Sequence, residues 1–400
     1  MVYTSGNHGE GIRSDCFMSL EVLSAGGIQI DLRSKVKALY GRSITGLCLE
    51  MFQFFEIEHA RLEIDDSGAL PFTLAARLEA AINLLRPQNK EYLLPVLPQN
   101  IYSTDRDRDR ITRLYLPGNN PKLMINAGIY GSDGIILDLE DAVSPEKKHE
   151  ARILVRNALR SVDFYGAERM VRINQVPAGL DDLRWCIGHP VNLILIPKCE
   201  SAEQVILTDT KITQILGAKN TSIFLMPILE TACGILNAQE IAGASDQVVA
   251  MAIGLEDYTA DIGVSRTPEG KESLFARNML INAAVSAGKQ PIDSVFSDFE
   301  NVEAIARAAS ESRAMGFAGM GCIHPRQVSI IRENFLPAAS EIDKARKIAL
   351  AFYKAQEQGS SVVALESKMI DPPVVKRALG IIAKAVKYGK LQPNWRENNE

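Results

Sequence analysis

The sequence predicts an α/β protein in which a (β/α)₈ (TIM) barrel follows a small α+β domain. Its 400 residues exceed the size at which one hydrophobic core keeps growing, which favours two domains. Eight short apolar segments, separated by segments of helical periodicity, follow residue 112. Between residues 88 and 112 this periodicity is lost. We therefore expect one domain at residues 1–87 and a barrel with a C-terminal helical extension at 113–400.

The first 87 residues carry both strand and helix patterns. Residues 28–32 alternate as a strand, and residues 44–55 and 73–85 have helical apolar spacing. Residues 61–64 and 69–74 flank the turn sequence Asp65-Asp66-Ser67-Gly68, which predicts a β-hairpin. This mixture predicts a small α+β domain and not a helix bundle.

Residues 88–112 are interpreted as a linker. Pro95 and Pro98 interrupt local structure, and residues 105–110 alternate Asp with Arg, leaving no apolar face. An exposed helical turn of the following domain would show the same charge run and is an equal alternative.

The eight apolar segments are predicted to be buried parallel strands. They are residues 114–117, 134–139, 170–174, 193–197, 223–229, 249–254, 291–296 and 319–323. Helical segments such as 201–216, 274–287 and 302–315 lie between them. Continuously apolar strands that alternate with helices are typical of a parallel sheet covered on both faces. An open doubly wound sheet is the alternative, but no G-x-G-x-x-G follows the first strand, so the barrel is favoured.

Polar residues follow most of the predicted strands. They are Asp138, Glu140, Asp141, Arg172, Lys198, Glu230, Glu256, Asp257 and His324. In a barrel these strand ends meet at the face that carries the active site. Any one of them alone would be read as a cap or a salt bridge, but together they predict a polar pocket above an apolar core.

The residue types in this pocket indicate a hard cation and an anionic ligand. Carboxylates without clustered His or Cys suit Mg²⁺, or Mn²⁺, better than zinc, and Glu230 and Asp257 on adjacent strands form the natural pair of ligands. Arg172 and Arg113 offer forked donors to a carboxylate or phosphate. His324 precedes a proline and is interpreted as a loop-positioning residue.

Composition argues against several classes of protein. The net charge of −5 leaves no basic surface for nucleic acid, and a mean hydropathy of −0.02 argues against a membrane span. The six cysteines form no C-x-x-C pair and are expected to be reduced. The N-terminal residues have no apolar signal segment, so we expect a cytoplasmic protein.

From residue 113 to about 390 the sequence resembles the citrate lyase β subunit group (the HpcH/HpaI aldolase/citrate lyase family) of Mg²⁺-dependent carbon–carbon lyases. The motifs are Ile129-Tyr130-Gly131-Ser132-Asp133-Gly134, Leu137-Asp138-Leu139-Glu140-Asp141-Ala142-Val143, Val171-Arg172-Ile173-Asn174, Leu229-Glu230-Thr231-Ala232-x-Gly234, Gly254-Leu255-Glu256-Asp257-Tyr258, Arg266-Thr267-Pro268-Glu269-Gly270, Phe275-Ala276-Arg277 and Lys368-Met369-Ile370-Asp371-x-Pro373. Citramalyl- and malyl-coenzyme A lyases are similar in the barrel motifs.

This resemblance implies roles for individual residues. Glu230 and Asp257 match the metal ligands, and Arg172 matches the arginine that binds a substrate carboxylate. Glu140 and Asp141 match acids near the metal-bound waters. Asp371 is implied as an acid/base that enters a neighbouring subunit's site, which requires a homo-oligomer; a helix N-cap before Pro372 and Pro373 is the equal alternative.

The first 87 residues resemble the acyl carrier (γ) subunit of citrate lyase, through Ile64-Asp65-Asp66-Ser67-Gly68-Ala69-Leu70 and Ala76-Arg77-Leu78-Glu79-Ala80. In that family a serine at the position of Ser14 carries a phosphodiester-linked phosphoribosyl-dephospho-coenzyme A arm. The resemblance therefore implies covalent attachment at Ser14, with an unmodified loop serine as the alternative.

Together the two resemblances imply a fused carrier and lyase subunit that cleaves a citryl thioester to oxaloacetate and an acetyl thioester. The linker would set the reach of the carrier, and a separate citrate lyase α subunit, the acyl transferase, would be a partner. Three alternatives stay open: a citramalyl- or malyl-coenzyme A lyase, a 2-keto acid aldolase with Lys198 as Schiff-base lysine, and a non-catalytic carrier or assembly subunit.

Overall fold

A computed structural model describes residues 1–87, 90–357, 363–365 and 368–396. The chain divides into two compact units, residues 1–328 and 329–400. The first unit contains both the N-terminal α+β fold and the barrel. The start of the predicted linker, residues 88 and 89, lies outside the described residues.

The N-terminal domain is a four-stranded sheet covered by two helices. Its elements are β1 (Val2–Gly6), β2 (Cys16–Val22), β3 (Ile28–Ser34), α1 (Lys37–Phe54), β4 (Ala60–Asp66) and α2 (Pro71–Leu85). The strand order is β1-β2-β4-β3, with β3 and β4 parallel because α1 crosses between them. Alternate residues of β2 and β4 point into a core with α1 and α2. The predicted α+β class and both predicted helices are confirmed.

The predicted hairpin at residues 61–74 is wrong. After β4 the Asp66 carboxylate accepts hydrogen bonds from the backbone N–H groups of Gly68 (3.0 Å) and Ala69 (2.7 Å). These bonds turn the chain into α2, whose first residue, Pro71, has the fixed φ that suits the start of a helix. The apolar residues assigned to a second strand are therefore the linking turn and the first turn of α2. The strands β1 and β2 were not predicted.

The barrel consists of eight parallel strands and is closed. They are β5 (Thr112–Pro117), β6 (Gly134–Asp138), β7 (Glu168–Arg172), β8 (Leu193–Ile196), β9 (Phe224–Leu229), β10 (Ala250–Ile253), β11 (Gln290–Asp293) and β12 (Gly319–Cys322). Closure comes from the pairing of β12 with β5. The predicted barrel is confirmed, and the doubly wound sheet is excluded. The strand β7 lies two residues earlier than predicted.

Helices cover the outside of the barrel. They are α3 (Pro121–Ile125), α4 (Lys148–Ser161), α5 (Ala202–Leu216), α6 (Ala232–Leu236), α7 (Ala238–Ala242), α8 (Leu255–Asp261), α9 (Leu274–Ser286) and α10 (Val302–Met315). The next helix, α11 (Arg326–Phe335), includes the boundary between the two units. Their ends follow local capping chemistry: Ser201 and Gln204 form a capping box at α5, which ends at Gly217 with φ 65°.

The second unit is a helical pair with a short hairpin. It contains α12 (Ala339–Glu357), β13 (Val363–Leu365), β14 (Lys368–Ile370) and α13 (Pro372–Lys387). Small and branched residues, among them Ala349 and Ile382, form its core. Across the described part of the chain, no helix is both long and apolar enough to cross a membrane.

Buried ion pairs join the N-terminal domain to the barrel. Arg77 of α2 contacts Asp15 at 2.9 Å and Glu150 of α4 at 3.4 Å. Arg156 of α4 contacts Glu79 of α2 at 2.6 Å. Because these side chains are almost completely buried, α2 and α4 form a tightly paired interface.

The charged segment that was interpreted as a linker lies against the barrel. Arg110 is fully buried and forms a two-pronged ion pair with Glu168, at 2.7 and 2.8 Å. Arg106 and Arg108 donate to backbone carbonyls of barrel loops. The alternating charges therefore mark a segment packed on the barrel at the start of β5, and no free tether spans residues 100–112.

Candidate active site

The C-terminal ends of the barrel strands surround a pocket of about 470 Å³. Seven of the polar residues predicted for this pocket line it, namely Arg113, Asp138, Asp141, Arg172, Glu230, Glu256 and Asp257. The structure brings these residues together because the ends of parallel strands converge on one face of the barrel. Glu140 and Lys198 connect to them through ion pairs with Arg172 and Asp141.

Glu230 follows β9 and is 3% exposed. Its side chain lies over Gly254, where a Cβ atom would be 2.5 Å from Glu230 Cγ. Glycine at this position is therefore required for the observed position of the carboxylate. Burial raises the pKa of Glu230 to about 8, and the nearby carboxylates of Glu140 and Asp257 add to this effect.

Glu230 and Asp257 fit a magnesium ion. Asp257 lies in the first turn of α8, and both carboxylates face the same pocket. Among the described residues no group of three or more His, Cys, Asp or Glu side chains is close enough to enclose a metal. Mg²⁺ needs only one or two protein carboxylates, with water and substrate oxygens completing its shell. A cation would also supply the opposite charge that the buried Glu230 carboxylate needs.

Arg172 is held rigidly by Asp138. The two residues end adjacent strands β7 and β6 and are partners in the sheet register. Arg172 donates two hydrogen bonds of 2.7 Å to the Asp138 carboxylate, and its Nη1 lies 2.7 Å from Glu140 Oε2. Asp138 also accepts from the backbone N–H of Glu140, at 2.9 Å. This carboxylate therefore orients both the arginine and the following loop.

Lys198 belongs to the same charge network. Its Nζ donates to Glu140 Oε1 at 2.7 Å and lies 3.3 Å from Asp141 Oδ1. Although burial alone would lower it, the pKa of Lys198 is raised by the hydrogen bond and charge of Glu140. A protonated amine is not a nucleophile, so this environment does not suit Lys198 to Schiff-base chemistry.

Arg113 lies deeper in the barrel than the other predicted residues. It is the second residue of β5, is 1% exposed and lines the pocket from below the strand ends. Its Nη1 lies 3.0 Å from the sulfur of Met226, and its Nε is buried without a hydrogen-bond partner among the described residues. Burial lowers the pKa of Arg113, and the more distant Glu168 carboxylate only partly opposes this effect.

The sequence interpretation gave no role to two residues that shape the site. Asp138 positions Arg172, and Tyr115 lies beneath it, with the guanidinium carbon 5.4 Å from the ring centre. The signal for Asp138 is that it and Arg172 are the last residues of consecutive parallel strands.

A second groove, of about 810 Å³, adjoins the pocket. It shares Tyr115, Leu116, Pro117 and Ile323 with the pocket, and it is also lined by Ser14. Ser14 lies between β1 and β2 with φ 58°, and its backbone N–H donates to Ser67 O at 2.9 Å. The N-terminal domain thus places Ser14 beside the mouth of the barrel.

The two remaining predicted residues, His324 and Asp371, have clear local contacts. His324 also lines the second groove, and its ring stacks on Phe299 at 4.7 Å. Asp371 belongs to the second unit and caps α13, its carboxylate accepting from the backbone N–H of Val374 at 3.2 Å.

Two parts of the chain match known protein families. Residues 112–325 match the HpcH/HpaI aldolase/citrate lyase family. Residues 9–85 match an acyl carrier family described as malonate decarboxylase delta subunit (MdcD). The chain belongs to the HpcH/HpaI aldolase/citrate lyase family, and by class it is a carbon–carbon lyase with an added acyl-carrier-like domain.

Individual members of this family are similar to the chain over most of their length. The citrate lyase subunit beta of Leuconostoc mesenteroides subsp. cremoris is 36% identical over 286 residues, covering 70% of this chain and 95% of that protein. The human mitochondrial citramalyl-CoA lyase is 33% identical over 328 residues, covering 78% and 96%. The crystal structure of protein CitE from Mycobacterium tuberculosis, in complex with magnesium, acetoacetate and coenzyme A, has a TM-score of 0.60 and 29% identity, covering 70% and 99%.

Proposed function

We propose that this chain is a fused carrier and lyase subunit of a citrate lyase, which cleaves a citryl thioester held on its own Ser14 to oxaloacetate and an acetyl thioester. The observation that carries this proposal is the groove that Ser14 shares with the catalytic pocket through Tyr115, Leu116, Pro117 and Ile323. A thioester on an arm attached to Ser14 would enter the pocket without leaving the subunit.

The groove suits a phosphorylated pantetheine-type arm. Exposed Lys122 and Arg326 offer positive charge to phosphodiester groups, and Leu123, Ile125 and Tyr130 offer apolar contacts to the rest of the arm. The Ser14 hydroxyl forms no hydrogen bond with other described residues, so it is available for the phosphodiester linkage.

The flexible arm on Ser14, and not the linker, would carry the thioester into the pocket. The buried pairs of Arg77 with Glu150 and of Arg156 with Glu79 hold the N-terminal domain on the barrel. A fixed domain with a flexible arm keeps the thioester at high effective concentration near the pocket.

The pocket residues would then divide the chemistry. Glu230 and Asp257 would hold Mg²⁺, which when bound would lower the pKa of the substrate hydroxyl. Arg172 donates two N–H groups to Asp138 and pairs with Glu140 through Nη1, and its remaining N–H groups would bind a substrate carboxylate. Glu140 and Asp141, which Lys198 holds in place, would be the acids near the waters of a bound ion.

Cleavage breaks the bond between the hydroxyl-bearing carbon and the methylene of the acetyl thioester. The hydroxyl proton leaves to a base, the electron pair of the broken bond forms the thioester enolate, and the enolate then takes up a proton. We assign the acid/base role to Asp371 of a neighbouring copy, which makes a homo-oligomer part of this proposal. The citrate lyase α subunit is the partner that supplies citryl groups to the carrier.

Two assays with separate outcomes test the proposal. Purified protein should release oxaloacetate from synthetic citryl-coenzyme A only when Mg²⁺ is present, and Glu230→Ala should abolish this release. Full turnover by Glu230→Ala with unchanged Mg²⁺ dependence would exclude the assigned metal site.

The carrier is tested by intact mass after expression with the enzymes that load the arm. Ser14→Ala should lose the added mass and the cleavage of carrier-bound citryl groups, yet keep cleavage of citryl-coenzyme A. Ser43→Ala, an exposed serine of α1 outside the groove, is the matched control and should retain both. An arm that remains attached in Ser14→Ala would place the modification elsewhere.

A further inference from the structure

Arg113 is a buried cation at the floor of the catalytic pocket, and no carboxylate of the described residues forms an ion pair with it. Arg110 is neutralised by Glu168, Arg156 by Glu79, and the partly buried Arg172 by Asp138. Arg169 of β7 is as buried as Arg113, but its Nη1 and Nη2 donate to the backbone carbonyls of Asn100 and Tyr102, at 2.7 and 2.8 Å. Arg113, in contrast, has its Nη1 against the Met226 sulfur and its Nε without a hydrogen-bond partner among the described residues. A guanidinium that is 99% buried and lacks an anion is costly unless a ligand supplies one.

Small residues open a path from the strand ends down to this arginine. Ala252 and Gly321 line the pocket at the level below Glu230, together with Ile228. A Cβ atom at Gly321 would lie 2.6 Å from Val295 and 3.3 Å from the Tyr115 ring, so a larger residue would fill this part of the pocket. The cavity therefore extends from the metal-binding carboxylates to Arg113.

The two ends of this pocket could each bind a different carboxylate of the substrate. Glu230, Asp257 and Arg172 surround the upper end, where the hydroxyl and the carboxylate on the same carbon would lie. A second carboxylate, carried one methylene away from that carbon, would point down the apolar channel to Arg113. Thioesters that have a methyl group or a hydrogen at this position leave the arginine without an anion.

We propose that Arg113 selects, as substrate, the thioester that carries a second free carboxylate, as in a citryl group and not in a citramalyl or malyl group. This inference rests on the proposed lyase function and adds to it the residue that determines specificity. A site built to bind a charged group discriminates strongly against an analogue that lacks the group, because the buried partner is then left unpaired.

The test compares Arg113→Met with the wild type on citryl- and citramalyl-coenzyme A. We expect the variant's kcat/KM for the citryl thioester to fall about 100-fold, while that for the citramalyl thioester changes less than about threefold. Arg113→Lys should restore part of the citryl activity. Arg307→Met, which removes an exposed cation of α10, is the matched control and should change neither rate.

Product binding gives an independent readout. In the presence of Mg²⁺, calorimetry should show weakened oxaloacetate binding in Arg113→Met and unchanged binding of pyruvate, which lacks the second carboxylate. Equal losses for both thioesters or both products would assign Arg113 a structural role and overturn the inference. If the wild-type protein cleaves no thioester but its oxaloacetate binding depends on Arg113, the proposed function is wrong. Arg113 would in that case still bind a carboxylate.

Discussion

At the scale of single residues, the position of the Glu230 carboxylate depends on the absence of a side chain at Gly254. Glu230 occupies space that any side chain at position 254 would fill, and it lies in a buried environment that disfavours its charge. The carboxylate is therefore kept where a cation would stabilise it most. The position of a proposed ligand is here determined by a glycine on the adjacent strand.

This arrangement predicts that Gly254→Ala weakens metal binding. The new Cβ atom would overlap the Glu230 carboxylate, 2.7 Å from Oε1, and displace it from the pocket. We expect Mg²⁺ affinity, measured by isothermal titration calorimetry, to fall at least about tenfold with an unchanged circular dichroism spectrum. Gly243→Ala is the control, because its nearest atom would be 3.8 Å away. Equal affinities in both variants would show that Glu230 does not bind the ion in this position.

A second residue-scale prediction concerns His149, in the first turn of α4. Burial lowers its pKa, the neighbouring Arg152 adds to this, and Nε2 is buried without a hydrogen-bond partner among the described residues. Because the folded state resists protonation, the His149 contribution to stability is complete above the unfolded-state pKa of about 6.5 and is lost as the pH falls below it.

Urea unfolding of wild type and His149→Gln at pH 7.5 and 5.5 measures this contribution. The free energy of unfolding should fall more for the wild type than for the variant between the two pH values. Equal falls would mean that His149 titrates alike in the folded and unfolded states.

At the scale of elements, most of the barrel was predictable because buried parallel strands are apolar throughout and end in polar residues. The predicted pocket residues Glu230, Asp257 and Arg172 follow from that rule. The pairing of Arg172 with Asp138 was missed because the predicted strands extended past both residues, so their shared position at the ends of β6 and β7 was not recognised. The hairpin was predicted wrongly because a short apolar segment such as residues 69–74 fits a strand and the start of a helix equally well. The hydrogen bond from Ala69 N–H to Asp66 turns the chain into the helix.

Two roles are open to Asp371, at the N-terminus of α13: a helix cap and a catalytic acid. Asp371 accepts a hydrogen bond from Val374 N and precedes two prolines, which is the chemistry of a helix start. Asn caps helices as well as Asp does but does not titrate. The two roles of Asp371 are therefore separable by substitution.

We expect Asp371→Asn to keep the stability of the wild type and to lose most lyase activity if the residue acts as acid/base in a neighbouring copy. Asp371→Ala should in addition lose about 1 kcal/mol of stability. Thermal unfolding and citryl-coenzyme A cleavage, measured on both variants, distinguish these effects. Full activity of Asp371→Asn would leave Asp371 as a cap only.

At the scale of the whole molecule, the ion pairs between α2 and α4 change the expected role of the linker. A tethered carrier was expected to swing on residues 88–112, but the described part of that segment packs on the barrel through Arg110 and Asn100. Gly6 also donates to Glu150 at 2.8 Å, so the β1 end of the Ser14 loop is attached to α4. Under the proposed function, delivery of the thioester would therefore depend on how firmly the N-terminal domain is docked.

Glu150→Ala tests this dependence. It removes the partner of Arg77 and of the Gly6 N–H from a buried interface, which should cost about 3 kcal/mol and loosen the Ser14 loop. Cleavage of a citryl group on the loaded carrier should therefore slow, while cleavage of free citryl-coenzyme A, which bypasses the carrier, should stay constant. Glu146→Ala, which removes an exposed carboxylate four residues earlier, is the control and should have little effect on either rate. If Glu150→Ala slows both substrates equally, the interface supports the barrel itself; if it slows neither, the arm reaches the pocket without a docked carrier.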